Sequence, residues 1–491
     1  MNHRRRVALP FFAALAATAF AGAADADLDA LVKRHLGESH WYGVYVDGTK
    51  SGYALIECKE GKVGDEQAVI VDLKMRLKLV ALGQKQDVRV FQTRTYLRSG
   101  ELHEVTCRMK TDTTEAQATA IVHPDKAVIA MTMAGLASPP KELPRPKESL
   151  RDWAAAERLA ASDAKVGDKV SFSMLEPLML TEFEGTVTLK ERKEIVFNGV
   201  PTQVAVMENR VPKLGMDGDV VVDGRGVVLE QKVGETFVLR LETEKQAKDV
   251  QYSADLVRVG CVKLDPPPRD LASLRKLRFQ LSGVEDPELM LTDGRQRWSQ
   301  GPDGSRSVEV TADPVPPDKL AKLPVDKAKF AADLAPTVFV QSEEPAIRAL
   351  AAQIVGDERD AYAAAKKINA WVYTNIRKVG TAALSNAAEV LKTREGDCTE
   401  HTVLFVALAR AAGIPAREVA GVTAIERGEG LYYHAWPEVW VGDWIAMDPT
   451  LNQDLADPTH IKFAQGGAEN LYRIIAIFGR LKARIVDEPA Q

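Results

Sequence analysis

The sequence predicts an α+β protein in which β-rich antiparallel domains precede a C-terminal domain of helices and a small antiparallel sheet. Apolar and polar residues alternate over short segments from residue 40 to about residue 310, which is typical of half-buried strands. Alanine-rich segments with the helical apolar spacing of about 3.6 residues begin after Ser342. Strand-like segments return after Ala416. Helices followed by a small sheet are the arrangement of an α+β domain.

The composition is that of a folded globular protein. The chain has 491 residues, of which 45% are hydrophobic and 27% charged, and its formal net charge is −5. At roughly 150 residues per domain, this length suggests about three domains. The mildly acidic balance gives no electrostatic reason to expect nucleic acid or an anionic membrane as a partner. The oligomeric state stays open.

The first 26 residues have the pattern of a secretory signal peptide. Arg4–Arg6 form a positive segment, Val7–Ala23 is almost entirely apolar, and small residues in alternate positions follow up to Ala26. An uncleaved membrane anchor is the alternative, but the apolar segment is short for a span. No later apolar segment approaches the roughly 20 residues that a membrane helix needs. We therefore expect an exported protein, periplasmic or secreted, without a membrane span after cleavage.

Proline and turn signals divide the rest of the chain. Asp47-Gly48 predicts a tight hairpin, because both residues tolerate positive φ. A proline-rich break near residue 140 and a stiff Pro266–Pro268 segment mark boundaries. The predicted organisation is a signal peptide at 1–26, a β-rich domain at 27–140, a second β-rich domain at 148–262, a short β-rich connector at 263–340 and a domain of helices and a small sheet at 341–491.

A helix with clear start and end signals carries the cysteine of greatest interest. Asp397 can cap the helix, and Glu400 three residues later completes a capping box. Gly413 and Pro415 predict its end. Cys398 then occupies the first helical position, where free backbone N–H groups and the helix dipole favour thiolate over thiol.

A basic partner for this thiol is predicted on a following strand. Alternate residues of a strand share a face, which groups the side chains of His434, Trp436, Glu438 and Trp440. A turn at 442–443 sends the next strand back antiparallel, so that Asp448 comes close to His434. A carboxylate there would fix the imidazole tautomer and stabilise the imidazolium. Trp436 and Trp440 are candidates for the wall of a substrate pocket, and core packing is the alternative for both.

These motifs resemble the transglutaminase-like branch of the papain-type thiol enzymes, in a bacterial secreted form. The resemblance covers about residues 342–463. It rests on the following motifs: Gly396-Asp397-Cys398-Thr399-Glu400-His401, Ala409-Arg410-Ala411-Ala412-Gly413-Ile414-Pro415-Ala416-Arg417, His434-Ala435-Trp436 and Asp448-Pro449-Thr450.

The resemblance implies a role for each matching residue. Cys398 would be the nucleophile, His434 the general base and acid, and Asp448 the carboxylate that orients the imidazole. It implies acyl transfer from amide bonds of a protein or peptide through a thioester, ending in hydrolysis or in transfer to an amine. No cofactor and no metal are expected. A non-catalytic scaffold that keeps the fold for binding is the alternative.

Other interpretations of these residue types are weaker. Zinc held by Cys398, His401, His434 and Asp448 would explain the residue types but not the cysteine at a helix start. His401 is expected to pack near the site without a chemical step. The remaining cysteines lie in strand-like segments and are expected to be buried small hydrophobes, with a disulfide between the first two left open: Cys58, Cys107 and Cys261.

Overall fold

The structure is a computed structural model that describes residues 33–487 except positions 34, 82, 113, 154, 161–162, 215, 235, 254, 256–258, 303, 313–319, 381–384 and 468–471. The signal peptide predicted at 1–26 lies outside the described residues. Helices occur together with large antiparallel sheets, and helices concentrate in the C-terminal region, which confirms a mixed fold. Within the described part of the chain, no helix has the length and apolarity needed to cross a bilayer. The chain divides into two compact units.

The first unit contains the described residues of 33–80 and 85–253 and is built on one sheet of fifteen strands. Its strands are β1 (Ser39–Val46), β2 (Thr49–Val63), β3 (Glu66–Ala81), β4 (Gln84–Leu97), β5 (Leu102–Lys110), β6 (Glu115–Val122), β7 (Lys126–Met133), β8 (Leu136–Ala137), β9 (Lys141–Pro144), β10 (Lys169–Glu176), β11 (Thr181–Phe197), β12 (Val200–Val211), β13 (Met216–Asp223), β14 (Val228–Val233) and β15 (Phe237–Glu242). Its helices are α1 (Leu150–Trp153), α2 (Ala155–Ala160) and α3 (Glu244–Ala247).

The strand order of this sheet joins two segments of the sequence. The order is β10 to β15, then β1 to β8, with β9 on β7. Antiparallel pairing of β15 with β1, for example Leu239 with Val44, makes the link. Strands from the segments 27–140 and 148–262 therefore belong to one sheet. The hairpin predicted at residues 47–48 is confirmed, since Asp47 and Gly48 have φ values of 47° and 75°.

The second unit contains the described residues of 255–487 and the short segment 81–84. Its elements are β16 (Val262–Lys263), β17 (Lys276–Ser282), β18 (Gln296–Gln300), β19 (Arg306–Thr311), α4 (Ala331–Leu334), α5 (Pro345–Val355), α6 (Ala361–Asn375), β20 (Arg377–Lys378), α7 (Ala387–Thr393), β21 (Glu395–Gly396), α8 (Cys398–Ala411), β22 (Ala416–Ala424), β23 (Gly430–Trp440), β24 (Trp444–Ala446), β25 (Ile461–Gln465) and β26 (Lys482–Asp487).

Two antiparallel sheets of this unit contain strands from the segment 263–340 or directly next to it. One sheet has the order β16-β23-β22-β25, with β24 paired to β23. The other has the order β18-β19-β17-β26. The buried amide of Gln296 donates to the Lys462 carbonyl at 2.7 Å and accepts from the Lys462 N–H at 2.8 Å. This bond pair links β18 directly to β25.

Helix α8 is the central helix of the second unit. It packs against α5, α6 and α7 on one side and against β22 and β23 on the other. Almost all its residues between Cys398 and Arg410 are therefore buried. A helix enclosed on all sides is expected to be apolar around its circumference, and α8 carries Val403, Leu404, Phe405 and Val406 in succession.

Candidate active site

The start of helix α8 is fixed by a capping box, as the sequence predicts. The Asp397 carboxylate accepts a hydrogen bond from the Thr399 N–H at 2.7 Å, and the Glu400 carboxylate accepts one from the Asp397 N–H at 2.8 Å. A Cβ at Gly396 would lie 2.2 Å from the Cβ of Glu400, so the capping box requires glycine there. These contacts hold rigid the helical turn that begins with Cys398.

The environment of Cys398 differs from that of the other three cysteines. Cys398 is 4% exposed and occupies the first position of a 14-residue helix, where the helix dipole favours a thiolate. Burial raises the pKa of Cys58 to about 11 and also raises the pKa values of Cys107 and Cys261. Neither Cys58 nor Cys107 takes part in a disulfide, so the bridge left open between them is not formed.

The hairpin after α8 brings His434 and Asp448 together. Strand β23 pairs with β24 in the register Trp440 to Trp444, and the chain beyond β24 delivers Asp448. The His434 Nε2 and the Asp448 Oδ2 are 2.8 Å apart, and both side chains are buried. With Nε2 directed at the carboxylate, Nδ1 is the ring nitrogen left to exchange a proton with a thiol.

The Asp448 carboxylate is held on both of its oxygens. Its Oδ1 accepts hydrogen bonds from the N–H groups of Thr450 at 2.7 Å and Leu451 at 2.9 Å. Its Oδ2 contacts a second imidazole, because the Nε2 of His460 lies 3.1 Å away. Two imidazoles therefore share one carboxylate oxygen. The sequence predicts only the first of them, His434, as a partner of Asp448.

His460 adds a positive charge to this cluster and connects it to a second carboxylate, that of Asp457. Burial lowers the pKa of His460, but the carboxylates of Asp457 and Asp448 outweigh burial and leave the pKa raised above 6.5. Burial would raise the pKa of Asp457, but the charge and hydrogen bond of His460 lower it to about 2, helped by Thr459 and Gln453. At pH 6.5 His460 is therefore mainly protonated and offsets one of the two carboxylates.

The loop that carries His460 is fixed by a residue far away in the sequence. Arg295 is 8% exposed, and its guanidinium donates to the carbonyls of Ala456 at 2.8 Å and Asp457 at 2.5 Å. The segment 449–460 has neither helical nor strand periodicity. The Asp457-Pro458 pair indicates a loop around His460 but does not identify the contact with Asp448.

His401 lies outside the group of converging side chains formed by His434, Asp448 and His460. Its side chain is fully buried in α8, and its Nδ1 donates to the Asp397 carbonyl at 2.5 Å. Burial lowers the pKa of His401 to about 4, so the ring is neutral near pH 7. A neutral ring cannot stabilise a neighbouring thiolate by charge. Its burial fits the expected packing, and the expectation that His401 takes no chemical step stays a prediction.

The tryptophans occupy different environments. Trp436 is 1% exposed. Its ring stacks on that of His434, with centroids 6.0 Å apart and planes inclined by 28°, and meets the His460 ring edge-on at 5.1 Å. Trp436 therefore packs against both imidazoles of the cluster. Trp440 is half-buried and contacts the ring of Trp444 at 5.9 Å. Its predicted contact with substrate stays a prediction, as does that of Trp436.

A cysteine that begins a helix packed against the strand of a buried His–Asp pair is the arrangement of a cysteine-dependent enzyme. Residues 348–449, about a fifth of the chain, match the family model described as the transglutaminase-like superfamily. This match confirms the resemblance drawn from the motifs. The match includes Cys398, His434 and Asp448 and ends before His460.

Three solved structures are similar to the chain. One is a candidate cysteine protease from Cytophaga hutchinsonii, with 19% identity, a TM-score of 0.33, and 44% of this chain and 90% of that chain covered. The second is a β-barrel-like protein from Brucella abortus, with 13% identity, a TM-score of 0.30 and coverages of 42% and 94%. The third is a candidate protease from Parabacteroides distasonis, with 10% identity, a TM-score of 0.19 and coverages of 72% and 68%. No curated protein matches the chain.

Proposed function

We propose that the protein is an exported cysteine-dependent acyl-transfer enzyme that acts on amide bonds of protein or peptide substrates through a thioester. The observation that carries the proposal is the 2.8 Å contact between His434 Nε2 and Asp448 Oδ2, on a strand packed against the helix that Cys398 begins. Buried carboxylate–imidazole pairs of this kind orient a general base beside a nucleophile.

In the first half of the reaction, the Cys398 thiol transfers its proton to Nδ1 of His434. The thiolate attacks the amide carbonyl carbon, and the N–H groups of the first turn of α8 stabilise the negative charge on the carbonyl oxygen. The imidazolium then donates its proton to the leaving nitrogen, the C–N bond breaks and the amine departs. A thioester on Cys398 and a neutral His434 remain.

In the second half, neutral His434 removes a proton from the acceptor. Attack of water on the thioester gives a carboxylic acid, whereas attack of an amine gives a new amide. Either path returns the sulfur to Cys398 and completes the cycle. Asp448 acts throughout by holding Nε2, because the imidazolium forms next to a buried carboxylate.

Alkylation with iodoacetamide separates an enzyme from a non-catalytic scaffold. We expect one rapidly alkylated cysteine at Cys398, located by peptide mass spectrometry, since burial raises the pKa values of the other three. A His434→Ala variant should lose the rapid phase, and a matched His123→Ala variant on the exposed surface should keep it. Slow and equal alkylation of all four cysteines would support the scaffold.

The acceptor is identified by a separate experiment. The protein is incubated with a glutamine-containing protein, with and without a fluorescent amine. Incorporation of the fluorophore indicates amine transfer, whereas release of ammonia or peptides alone indicates hydrolysis. Both activities should disappear in Cys398→Ala; activity that survives this change would refute the assigned nucleophile.

Export is proposed from the signal-like segment at residues 1–26. Its test is N-terminal sequencing of the full-length gene product recovered from the periplasm or the medium of a bacterial host. We expect a mature N-terminus near Ala26. Retention of the intact N-terminus in the cytoplasm would refute export and leave the catalytic proposal unaffected.

A further inference from the structure

A second cluster of histidine and glutamate side chains lies in the first unit, on the residues just before β1 and on the start of β1. Its backbone is fixed against β2: the Gly37 N–H donates to the Cys58 carbonyl at 2.9 Å, and the Glu38 N–H donates to the His35 carbonyl at 3.0 Å. Gly37 has φ +79°, which favours glycine. His40, in β1, pairs with Ile56 of β2. The chain therefore holds His35, Glu38 and His40 in defined positions.

Three atoms of this cluster that could bind a metal ion lie close together. The Glu38 Oε2 lies 3.1 Å from His40 Nε2 and 3.6 Å from His35 Nδ1. All three atoms lie within 4.8 Å of one another. The His35 side chain is 6% exposed, that of His40 15% and that of Glu38 41%, so the cluster opens to solvent on the Glu38 side.

A buried carboxylate fixes the tautomer of His35. Its Nε2 and the Oε2 of Glu157, on α2, are 2.8 Å apart, and Glu157 is 4% exposed. A Cβ at Gly226 would lie 2.4 Å from the Cγ of Glu157, so glycine makes room for this carboxylate. With the proton on Nε2, a neutral His35 directs the lone pair of Nδ1 towards Glu38 Oε2. A cation placed between these two atoms, 3.6 Å apart, would remove the repulsion of their lone pairs.

We propose that His35, Glu38 and His40 bind a zinc-like divalent transition-metal ion. Ligands at about 2.0–2.2 Å from tetrahedral zinc are separated by roughly 3.3–3.6 Å. The 3.6 Å contact lies at the upper end of that range and the 3.1 Å contact slightly below it. Two imidazole nitrogens and one carboxylate oxygen suit zinc, whereas magnesium and calcium prefer oxygen ligands. Glu157 supplies the outer carboxylate that typically orients a metal-bound imidazole.

The bound ion would have a structural consequence within the first unit. It would connect the segment that precedes β1 to β1 itself through His35, Glu38 and His40, and to helix α2 through Glu157. It would also neutralise a cluster that holds two carboxylates and two imidazoles. Water would fill the fourth coordination position on the solvent side.

The test is titration of the full-length protein with Zn²⁺ against a chromophoric chelator, followed by Co²⁺ substitution and visible spectroscopy. We expect one ion per chain. Affinity should fall at least about tenfold in His40→Ala and Glu38→Gln, and about ten- to a hundredfold in Glu157→Gln. It should be unchanged in His123→Ala, which removes an exposed histidine of the same unit.

The catalytic cluster of His434, Asp448 and His460 also brings three metal-capable side chains together. Zinc bound there would be lost in His434→Ala and kept in His40→Ala, and that result would overturn the proposal. Absence of binding to the wild-type protein would also overturn it. Glu38 is partly exposed, so the Glu38→Gln protein should fold and still test the proposal even if a variant of the buried His35 does not fold. Failure of the catalytic proposal would leave this test unaffected.

Discussion

Replacing Asp448 with asparagine tests how the carboxylate controls His434. The Oδ1 of Asp448 accepts two backbone N–H groups, so the asparagine oxygen must take that position. The NH₂ group then faces the Nε2 atoms of His434 and His460 in place of Oδ2. Since NH₂ is a donor, Nε2 of His434 must become an acceptor and the ring proton must move to Nδ1. The nitrogen that should accept the thiol proton is then already protonated.

The expected magnitude follows from the ionisation of an unassisted thiol. With a pKa of about 8.5, a free cysteine is about half ionised at pH 8.5 and about 0.1% ionised at pH 5.5. The alkylation rate of the Asp448→Asn protein should therefore fall about 500-fold between these two pH values. A thiolate paired with imidazolium stays ionised, so the wild-type rate should change only a few-fold. Comparing two pH values within one variant cancels differences in intrinsic nucleophilicity. In a comparable triad, the same change of tautomer lowers kcat about 10⁴-fold.

The assay is iodoacetamide labelling of Cys398 followed by peptide mass spectrometry across the pH range. Asp443→Asn is the matched control, because Asp443 is an exposed carboxylate on the same hairpin. Circular dichroism checks that each variant is folded. A pH profile for Asp448→Asn that coincides with the wild-type profile would refute the assigned role of Asp448.

Three further predictions concern stability measured by urea unfolding. Because the pKa of His460 is raised in the folded state, protonated His460 stabilises the fold fully below pH 6.5, and this contribution is lost as pH rises through the folded-state pKa. His460→Gln should therefore cost more stability at pH 6 than at pH 9. Equal losses at the two pH values would contradict this. The pKa of Asp457, lowered from 3.8 to about 2, should contribute about 2 kcal/mol above pH 5 that disappears towards pH 2, and Asp457→Asn should lack this acid dependence. Gly396→Ala should displace Glu400 from the capping box and cost about 1 kcal/mol or more, and unchanged stability would contradict the assigned capping contact.

The local part of the site could be predicted from the sequence. The capping box from Asp397 to Glu400 depends on residues three positions apart, and the helix begins where these residues indicate. The approach of Asp448 to His434 follows from one turn and the two-residue periodicity of strands. Both inferences need only short-range geometry.

The remainder depends on contacts between distant residues. His460 reaches Asp448 because Arg295, more than 160 positions away in the chain, holds the intervening loop. The pairing of β15 with β1 joins Leu239 to Val44, and nothing in either strand specifies the other as its partner. Alternation identifies a strand and its buried face but does not determine which strand lies beside it.

The central claim is that Cys398 is ionised because His434 holds its proton, and ultraviolet thiolate absorbance measures this directly. The spectrum of the wild-type protein minus that of Cys398→Ser isolates this sulfur. We expect a thiolate signal already present at about pH 6 and absent at that pH in His434→Ala. A difference spectrum in which the signal develops only above about pH 8, identically in both proteins, would contradict the account.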